Sequence, residues 1–324
     1  MSQAIRIHQH GGPEVLVLET IEPGKPSDDQ VQVRHKAIGV NFIDIYDRTG
    51  LYPMELPGGL GREAAGEIVA LGRKVRGFKV GDRVAYTHSQ PGAYTELRNV
   101  PASRLVKVPK GISDEQAAAL LLKGLTAGFL LRQTYRVQRG EFILVHAAAG
   151  GVGTILTQWA RALGAKVIGV VGSDAKAELA RKNGCRHILM SGRDDLVAGV
   201  KKITRGEGVP VVYDSVGKDT FMTSLDCLRP RGLMVSYGNA SGPPPPFSPL
   251  ELAKRGSLFL TRPVLFHYTS TREQLDAAAR ALFSVVKSRK VRIQIGQTYR
   301  LSDAAQAHRD LEARVTTGAS VLTV

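Results

Sequence analysis

FILVHAAAGGVGTILTQWARALGAKVIGV, residues 142–170, decides the fold. A short apolar strand runs into a turn of small residues. The turn opens a helix whose apolar positions Val152, Ile155, Leu156, Trp159, Ala160 and Leu163 share one face, and a second apolar strand follows at 166–171. This order is the setting of a dinucleotide fingerprint: small residues let a diphosphate approach the backbone, and the helix start supplies N–H groups and a positive dipole end. The GxGxxG spacing is met only in part. Ala148 takes the place of the first glycine, whereas Gly150 and Gly153 fit the other two. Glycines alone would be weak evidence, since a close-packed strand–helix corner needs them as well. The intact strand–turn–helix–strand context favours a dinucleotide. The stretch from Phe142 to Ala160 carries no Asp, Glu, Lys or Arg. Its central AAAGGVG and amphipathic second half nevertheless argue against a membrane span.

Outward from this unit, strand and helix patterns alternate. KVIGVVG (166–172) precedes AKAELARKNG (175–184), HILM (187–190) precedes DLVAGVKKIT (195–204), VPVVYDSVG (209–217) precedes DTFMTSLDCL (219–228), and GLMVSYGN (232–239) closes the series. Such alternation predicts βαβ units and a parallel, doubly wound α/β sheet. The first hundred residues instead read as short strands between Gly and Pro turns, such as 30–40, 63–72 and 82–87. SDEQAAALLLKGLTAGFLL begins a helix at the cap-like Ser113, with Glu115 and Gln116 in its first turn. Pro243–Pro246 must be a loop. After the apolar stretch 257–266 comes a helical pattern at 272–288 and a final strand–helix–strand series. The expected organisation is one domain from 1–122 plus 262–324, interrupted by an α/β domain at 123–261.

With 324 residues, 43% hydrophobic and 23% charged, and a mean hydropathy of −0.09, the composition is that of a globular chain. Two cysteines, Cys185 and Cys227, allow neither a disulfide framework nor a Cys-rich zinc site, and they read as buried thiols in a reducing compartment. The opening MSQAIRIHQHGG has no apolar signal segment, so the expected location is cytoplasmic. The net charge of +15 points to an anionic partner. Residues 1–122 carry 15 basic against 14 acidic groups, 123–261 carry 19 against 10, and 262–324 carry 10 against 5. The excess therefore gathers where a phosphorylated ligand would sit. At the end of the second strand, Val170-Val171-Gly172-Ser173 offers no acid to hold ribose hydroxyls, and Asp174 lies past the tip. Ser173 and Lys176 offer a hydroxyl and a cation for a 2′-phosphate, which selects NADPH. The plain alternative for Lys176 is a solvated helix residue.

Several segments resemble the zinc-free quinone oxidoreductases of the medium-chain dehydrogenase/reductase superfamily, the group that includes zeta-crystallin. They are HGGPEVL (10–16), AIGVNFIDIYDRTGLYP (37–53), GREAAGEIVALG (61–72), VGDRVAY (80–86), LLKGLTA (121–127), HAAAGGVG (146–153), VVYDSVG (211–217) and GLMVSYGN (232–239). The resemblance covers essentially the whole chain. It implies a Rossmann domain inserted in a GroES-like, mainly β catalytic domain, with a cleft where cofactor and substrate meet. It places Asn41, Phe42, Ile43, Asp44 and Tyr46 around the nicotinamide ribose, with Thr126 and Phe129 bordering the cofactor. Gly150, Gly151, Val152 and Gly153 would take the pyrophosphate, and Gly172, Ser173 and Lys176 the 2′-phosphate end. Ser215, Tyr237, Gly238 and Asn239 would line the groove, the backbone at Val264 and Leu265 would reach the carboxamide, and Arg314 would add a basic contact. Ser191 stands where bacterial relatives often carry a tyrosine beside the 2′-phosphate. The resemblance also implies a homodimer built on the strand around Leu258–Phe266. From the residues alone, SLFL is an apolar edge strand that needs cover.

Relative to zinc alcohol dehydrogenases of the same superfamily, Asn41 replaces the first Cys ligand and Arg62 replaces the His of a Gly-His-Glu triplet, so no metal is expected. Without a Lewis acid to stabilise an isolated alkoxide, the favoured acceptors delocalise charge themselves: quinones and other conjugated carbonyls. Tyr46 and Tyr52 are the expected hydrogen-bond donors, with Asn41 orienting the ribose. For each tyrosine, the plain alternative is an aromatic wall with no chemical role. Two rival functions remain. One is a 2-alkenal, enone or enoyl-thioester reductase on the same fold. The other is an RNA-binding or structural, crystallin-like protein, motivated by charge but lacking an RNP-type aromatic motif, a KH loop or a basic helix run. Nucleic-acid binding is expected to be at most nonspecific, and no membrane partner is expected.

Overall fold

The computed structural model describes all 324 residues. Contacts divide the chain into two compact units. One comprises Met1–Leu125, Thr269–Phe283 and Ile293–Val324; the other comprises Thr126–Tyr268 and Ser284–Arg292.

The second unit holds six parallel strands. Their spatial order is Cys185–Met190, Lys166–Val171, Phe142–Val145, Val209–Asp214, Leu228–Ser236 and Phe259–Thr261. By sequence this is the 3-2-1-4-5-6 order of the doubly wound dinucleotide fold, with its switch point between the first and fourth strands. Central strands of such a sheet are covered on both faces, so they need apolar runs rather than alternation. Every residue of Val209–Asp214 is buried accordingly. The helix Gly151–Ala162 buries Ile155, Leu156, Trp159 and Ala160 as the pattern predicts. Leu163 departs from the expected face: it is the exposed C-cap, and Val152 in the first turn is only half-buried. The stretch 257–266 is also less regular than expected. Its strand is only Phe259–Thr261, because Pro263 has no N–H to continue the ladder, and a short helix follows at Leu265–Tyr268.

The first unit is mainly β. A three-stranded sheet joins Val17–Ile21, Ser2–Ile7 and Gly58–Gly59, and a seven-stranded sheet centres on the long strand Gln30–Val40. That strand pairs antiparallel with Glu63–Leu71, Leu97–Pro101 and Ala319–Thr323, which ties the two chain ends into one sheet. Its core includes Val31, Val33, Ile38, Leu60, Ile68, Tyr86 and Leu105. The helix Asp114–Phe129 starts on a reciprocal cap. Ser113 Oγ accepts from Gln116 N–H at 3.1 Å, and Gln116 Oε1 accepts from Ser113 N–H at 3.0 Å.

Gly66 sets the approach of the strands Gln30–Val40 and Glu63–Leu71. A Cβ there would lie 2.0 Å from the Arg34 carbonyl oxygen and 2.8 Å from His35 Cα. Both contacts are backbone, so relief requires moving a strand. Gly66→Ala is expected to lower the unfolding free energy by about 1–3 kcal/mol in urea titration. An unchanged midpoint and slope would refute this account of the strand spacing.

Candidate active site

In the second unit, the expected cofactor residues gather at the carboxyl ends of the strands. After Phe142–Val145, the turn carries Ala147 at φ 49°, and Gly150 is the N-cap of the helix Gly151–Ala162. Gly153 is required by packing: a Cβ would lie 2.2 Å from the Ala147 carbonyl oxygen. Gly150 supplies no side-chain cap, so the N–H groups of the first turn meet no side-chain oxygen at the N-cap. The neighbouring helices differ. Ser173 Oγ caps Asp174–Lys182 through Lys176 N–H, and Asp195 caps Leu196–Ile203 through Ala198 N–H. The helix start at the switch point is thus suited to an external anion, and the residues present fit a dinucleotide diphosphate.

Across the switch point, Asp214 is fully buried and organises the next loop. Its Oδ1 accepts from Val216 and Gly217 N–H at 2.7 and 3.1 Å, and its Oδ2 accepts from Thr220 and Ser224 hydroxyls at 2.7 and 2.8 Å. Because Ser224 donates to Asp214, its oxygen is left to accept from His146 Nε2 at 2.9 Å. Burial holds the His146 pKa below its usual value, which suits a neutral ring donating from Nε2. One buried cluster therefore joins the strand end before AAAGGVG to the loop carrying Ser215. Ser215 is in turn zipped to the segment holding Tyr237, Gly238 and Asn239. Tyr237 N–H donates to Asp214 O at 2.8 Å, Ala240 N–H donates to Ser215 O at 3.1 Å, and a Cβ on Gly238 would meet Ser215 O at 2.6 Å. Phe129 stacks on Tyr268 with centroids 4.2 Å apart, which sets it beside the helix that begins at Leu265; Val264 just before that helix is exposed. Thr126 is buried one turn earlier in the helix Asp114–Phe129. Ser191 N–H donates to Val171 O at 2.9 Å, and its hydroxyl oxygen is 3.6 Å from where a Gly172 Cβ would stand.

In the first unit, Asn41 is the N-cap of Phe42–Thr49, the helix that carries Ile43, Asp44 and Tyr46. Asn41 Nδ2 donates to Glu63 Oε2 at 3.1 Å and to Gly39 O at 3.2 Å. Glu63 is fully buried and also accepts from Leu122 N–H at 2.6 Å and Lys123 Nζ at 3.2 Å. Room for it depends on Gly39, where a Cβ would lie 2.3 Å from Glu63 Oε2. The Asn41 side chain also faces the Asp44 N–H in the capping box that opens this helix. Arg62 forms a two-pronged pair with buried Asp47, at 2.7 and 2.6 Å. The two positions where zinc relatives carry Cys and His are therefore engaged with carboxylates. No group of three or more His, Cys, Asp or Glu side chains is gathered as a metal site requires. Tyr46 and Tyr52 do come together, edge to face with centroids 5.3 Å apart, and Phe42 lies 6.3 Å from Tyr46. Arg314 lies just beyond the helix Ala304–Glu312, at φ 59°.

A family model described as an alcohol dehydrogenase GroES-like domain matches residues 27–110, and one described as zinc-binding dehydrogenase matches 151–280. The quinone oxidoreductase of Pseudomonas aeruginosa is 51% identical over 323 residues, covering 99% of each chain. The chain belongs to the quinone oxidoreductase family. The crystal structure of Escherichia coli quinone oxidoreductase complexed with NADPH matches with a TM-score of 0.98 at 49% identity, covering 99% of this chain and 100% of that one. The 2-haloacrylate reductase of a Burkholderia species is 46% identical over 99% of both chains. The expected GroES-like and Rossmann architecture is thereby established for this quinone oxidoreductase family member.

Sequence reading passed over Glu63, Lys123, Asp214 and His146, and a polar network behind Asp44. Asp44 Oδ2 accepts from Asn41 N–H at 2.8 Å and from the Tyr94 hydroxyl at 2.9 Å. His308 Nε2 lies 3.0 Å from the Tyr94 hydroxyl, and His308 Nδ1 lies 3.1 Å from Arg48 Nη1. Arginine can only donate, so His308 accepts at Nδ1 and donates from Nε2. Burial, with neighbouring Asp47 adding to it, pushes the Asp44 carboxyl from 3.8 up to about 7. Burial drives His308 down to about 3.

Between pH 4 and 7 the folded chain retains an Asp44 proton that the unfolded chain releases, so this group alone makes stability fall as pH rises. His308 acts oppositely between about 3 and 6.5, where the unfolded chain takes up a proton that the folded chain refuses. Asp44→Asn isolates the first contribution. Its unfolding free energy, relative to the unsubstituted protein, should climb with pH across 4–7 by up to about 1.4 kcal/mol per pH unit. Parallel curves in pH-resolved urea titrations would contradict the raised Asp44 pKa.

Proposed function

We propose that this protein is an NADPH-dependent, metal-free quinone reductase. The observation that carries the reading is its near-complete superposition on a quinone oxidoreductase whose crystal structure contains NADPH. The bound cofactor would supply a hydride to the acceptor. The fingerprint turn Gly150–Gly153 would hold its diphosphate, and Gly172, Ser173, Lys176 and Ser191 its 2′-phosphate end. Ser215, Tyr237, Gly238 and Asn239 would line the dinucleotide, Thr126 and Phe129 would border it, and the backbone at Val264 and Leu265 would fix the carboxamide. In the first unit, the Asn41 amide oxygen would accept from a ribose hydroxyl, with Phe42, Ile43, Asp44 and Tyr46 around it. Arg314 would add a cationic contact. On this reading 123–261 is the dinucleotide-binding domain, and 1–122 with 262–324 is the catalytic domain.

The acceptor gains a hydride, and the oxyanion that results takes a proton to give the hydroquinone. Tyr46 and Tyr52 would donate hydrogen bonds to that oxygen, and water would deliver the proton. A conjugated acceptor spreads the charge, so two hydroxyl donors suffice where an isolated carbonyl would need stronger stabilisation. We also infer a cytoplasmic homodimer. Cys185 and Cys227 are buried free thiols, and Phe259 is 60% exposed on the edge strand Phe259–Thr261. No helix is long and apolar enough to cross a membrane.

The 2-haloacrylate reductase relative gives an activated alkene as the second acceptor to test. Steady-state turnover of 1,4-benzoquinone should exceed that of 2-alkenals, 2-haloacrylates and enoyl thioesters, with NADPH preferred to NADH. Turnover confined to the alkenes would overturn the quinone assignment, and equal use of both cofactors would overturn the cofactor assignment.

A further inference from the structure

Arg193 lies in the turn that follows the strand Cys185–Met190, and it reaches back over the neighbouring strand end. Its Nη2 donates to Asp174 Oδ1 at 2.6 Å, and its Nη1 lies 3.4 Å from Asp174 Oδ2. The turn is built to hold it there. Asp194 Oδ2 accepts from Met190 N–H at 2.6 Å, Arg193 N–H donates to Met190 O at 3.2 Å, and Gly192 adopts φ 80°. Asp174 is the first residue of the helix Asp174–Lys182, immediately after the N-cap Ser173. Other charges near the pair are Arg181, on the Asp174 side, and Asp194, on the Arg193 side. Arg193 holds the Asp174 carboxyl below its usual range, mainly through their hydrogen bond.

An ion pair this exposed adds little to stability, with side chains 56% and 85% accessible. Its position is what matters. An acid beyond the second strand of a Rossmann unit selects a ribose with a free 2′-hydroxyl, and it repels a 2′-phosphate. Asp174 would be such an acid if it stood alone beside Ser173 and Lys176. We propose that Arg193 is a specificity-determining residue: it neutralises Asp174 so that the site accepts a 2′-phosphorylated adenosine. This rests on the NADPH reading above and adds a residue to it.

Binding to the full-length protein is measured at low salt by fluorescence titration. The ligands are NADPH, NADH, 2′,5′-ADP and 5′-AMP. Arg193→Ala should raise the Kd for NADPH and 2′,5′-ADP by about fivefold and leave NADH and 5′-AMP within about twofold. Adding Asp174→Asn to Arg193→Ala should restore NADPH and 2′,5′-ADP binding, because the carboxylate left exposed is removed. A merely structural role would weaken all four ligands together and would not be rescued. The inference alone is overturned if the unsubstituted protein prefers NADPH and Arg193→Ala leaves that preference intact. It is likewise overturned if Arg193→Ala weakens NADH equally, or if Asp174→Asn fails to rescue. An unsubstituted protein that binds 2′,5′-ADP no better than 5′-AMP would overturn the NADPH reading together with this one.

Discussion

A carboxylate shut off from water must be met by donors, and in this protein that requirement shapes both units. Glu63 has no solvent access, and it draws together Asn41 Nδ2, Leu122 N–H and Lys123 Nζ. Losing any one donor would leave part of a buried charge uncompensated, which is far costlier than the pair is stabilising. Gly39 is confined to glycine by the same carboxylate. Asp214 imposes the same order on the second unit, where it holds the loop Ser215–Gly217 through the Val216 and Gly217 N–H groups and ties it to the Thr220 and Ser224 hydroxyls. Each candidate constellation therefore rests on a rigid polar support rather than on its own loop.

This arrangement suits chemistry that depends on position more than on a strong acid or metal. Holding a hydride donor against a flat conjugated acceptor removes much of the entropic barrier, and the product anion is already delocalised. Asn41 and Arg62 are held by Glu63 and Asp47, while Tyr46 and Tyr52 sit edge to face. The positive charge has a related meaning. Its concentration in residues 123–261 fits a polyanionic cofactor, although one NADPH does not require all of it.

Most of the fold was legible because its signals are local. The parallel strands announce themselves as apolar runs, and the helix at Ser113 carries its cap in sequence. Misreadings fell where a single backbone feature overrode composition. Leu163 fits the apolar face but sits past the last turn, and the stretch 257–266 is apolar yet broken at Pro263. The supporting residues of the candidate site were not legible. Glu63 lies inside a recognisable segment, but nothing in GREAAG shows that Lys123 will meet it sixty positions later. His146 and Ser224 are separated by 78 residues.

By itself, then, the sequence determined the strand–turn–helix–strand at 142–171, the alternation that follows it, and the residue types suited to a phosphorylated dinucleotide. Periodicity and turn chemistry act over a few residues, so a linear reading captures them. Tertiary structure alone decided which polar and charged groups from distant segments face one another. It set Glu63 against Asn41 and Lys123, Asp214 against His146 through Ser224, and Arg193 against Asp174. The reason is physical: the cost of a charged group depends on the solvent it loses and the donors it gains, and both are fixed only when distant segments pack.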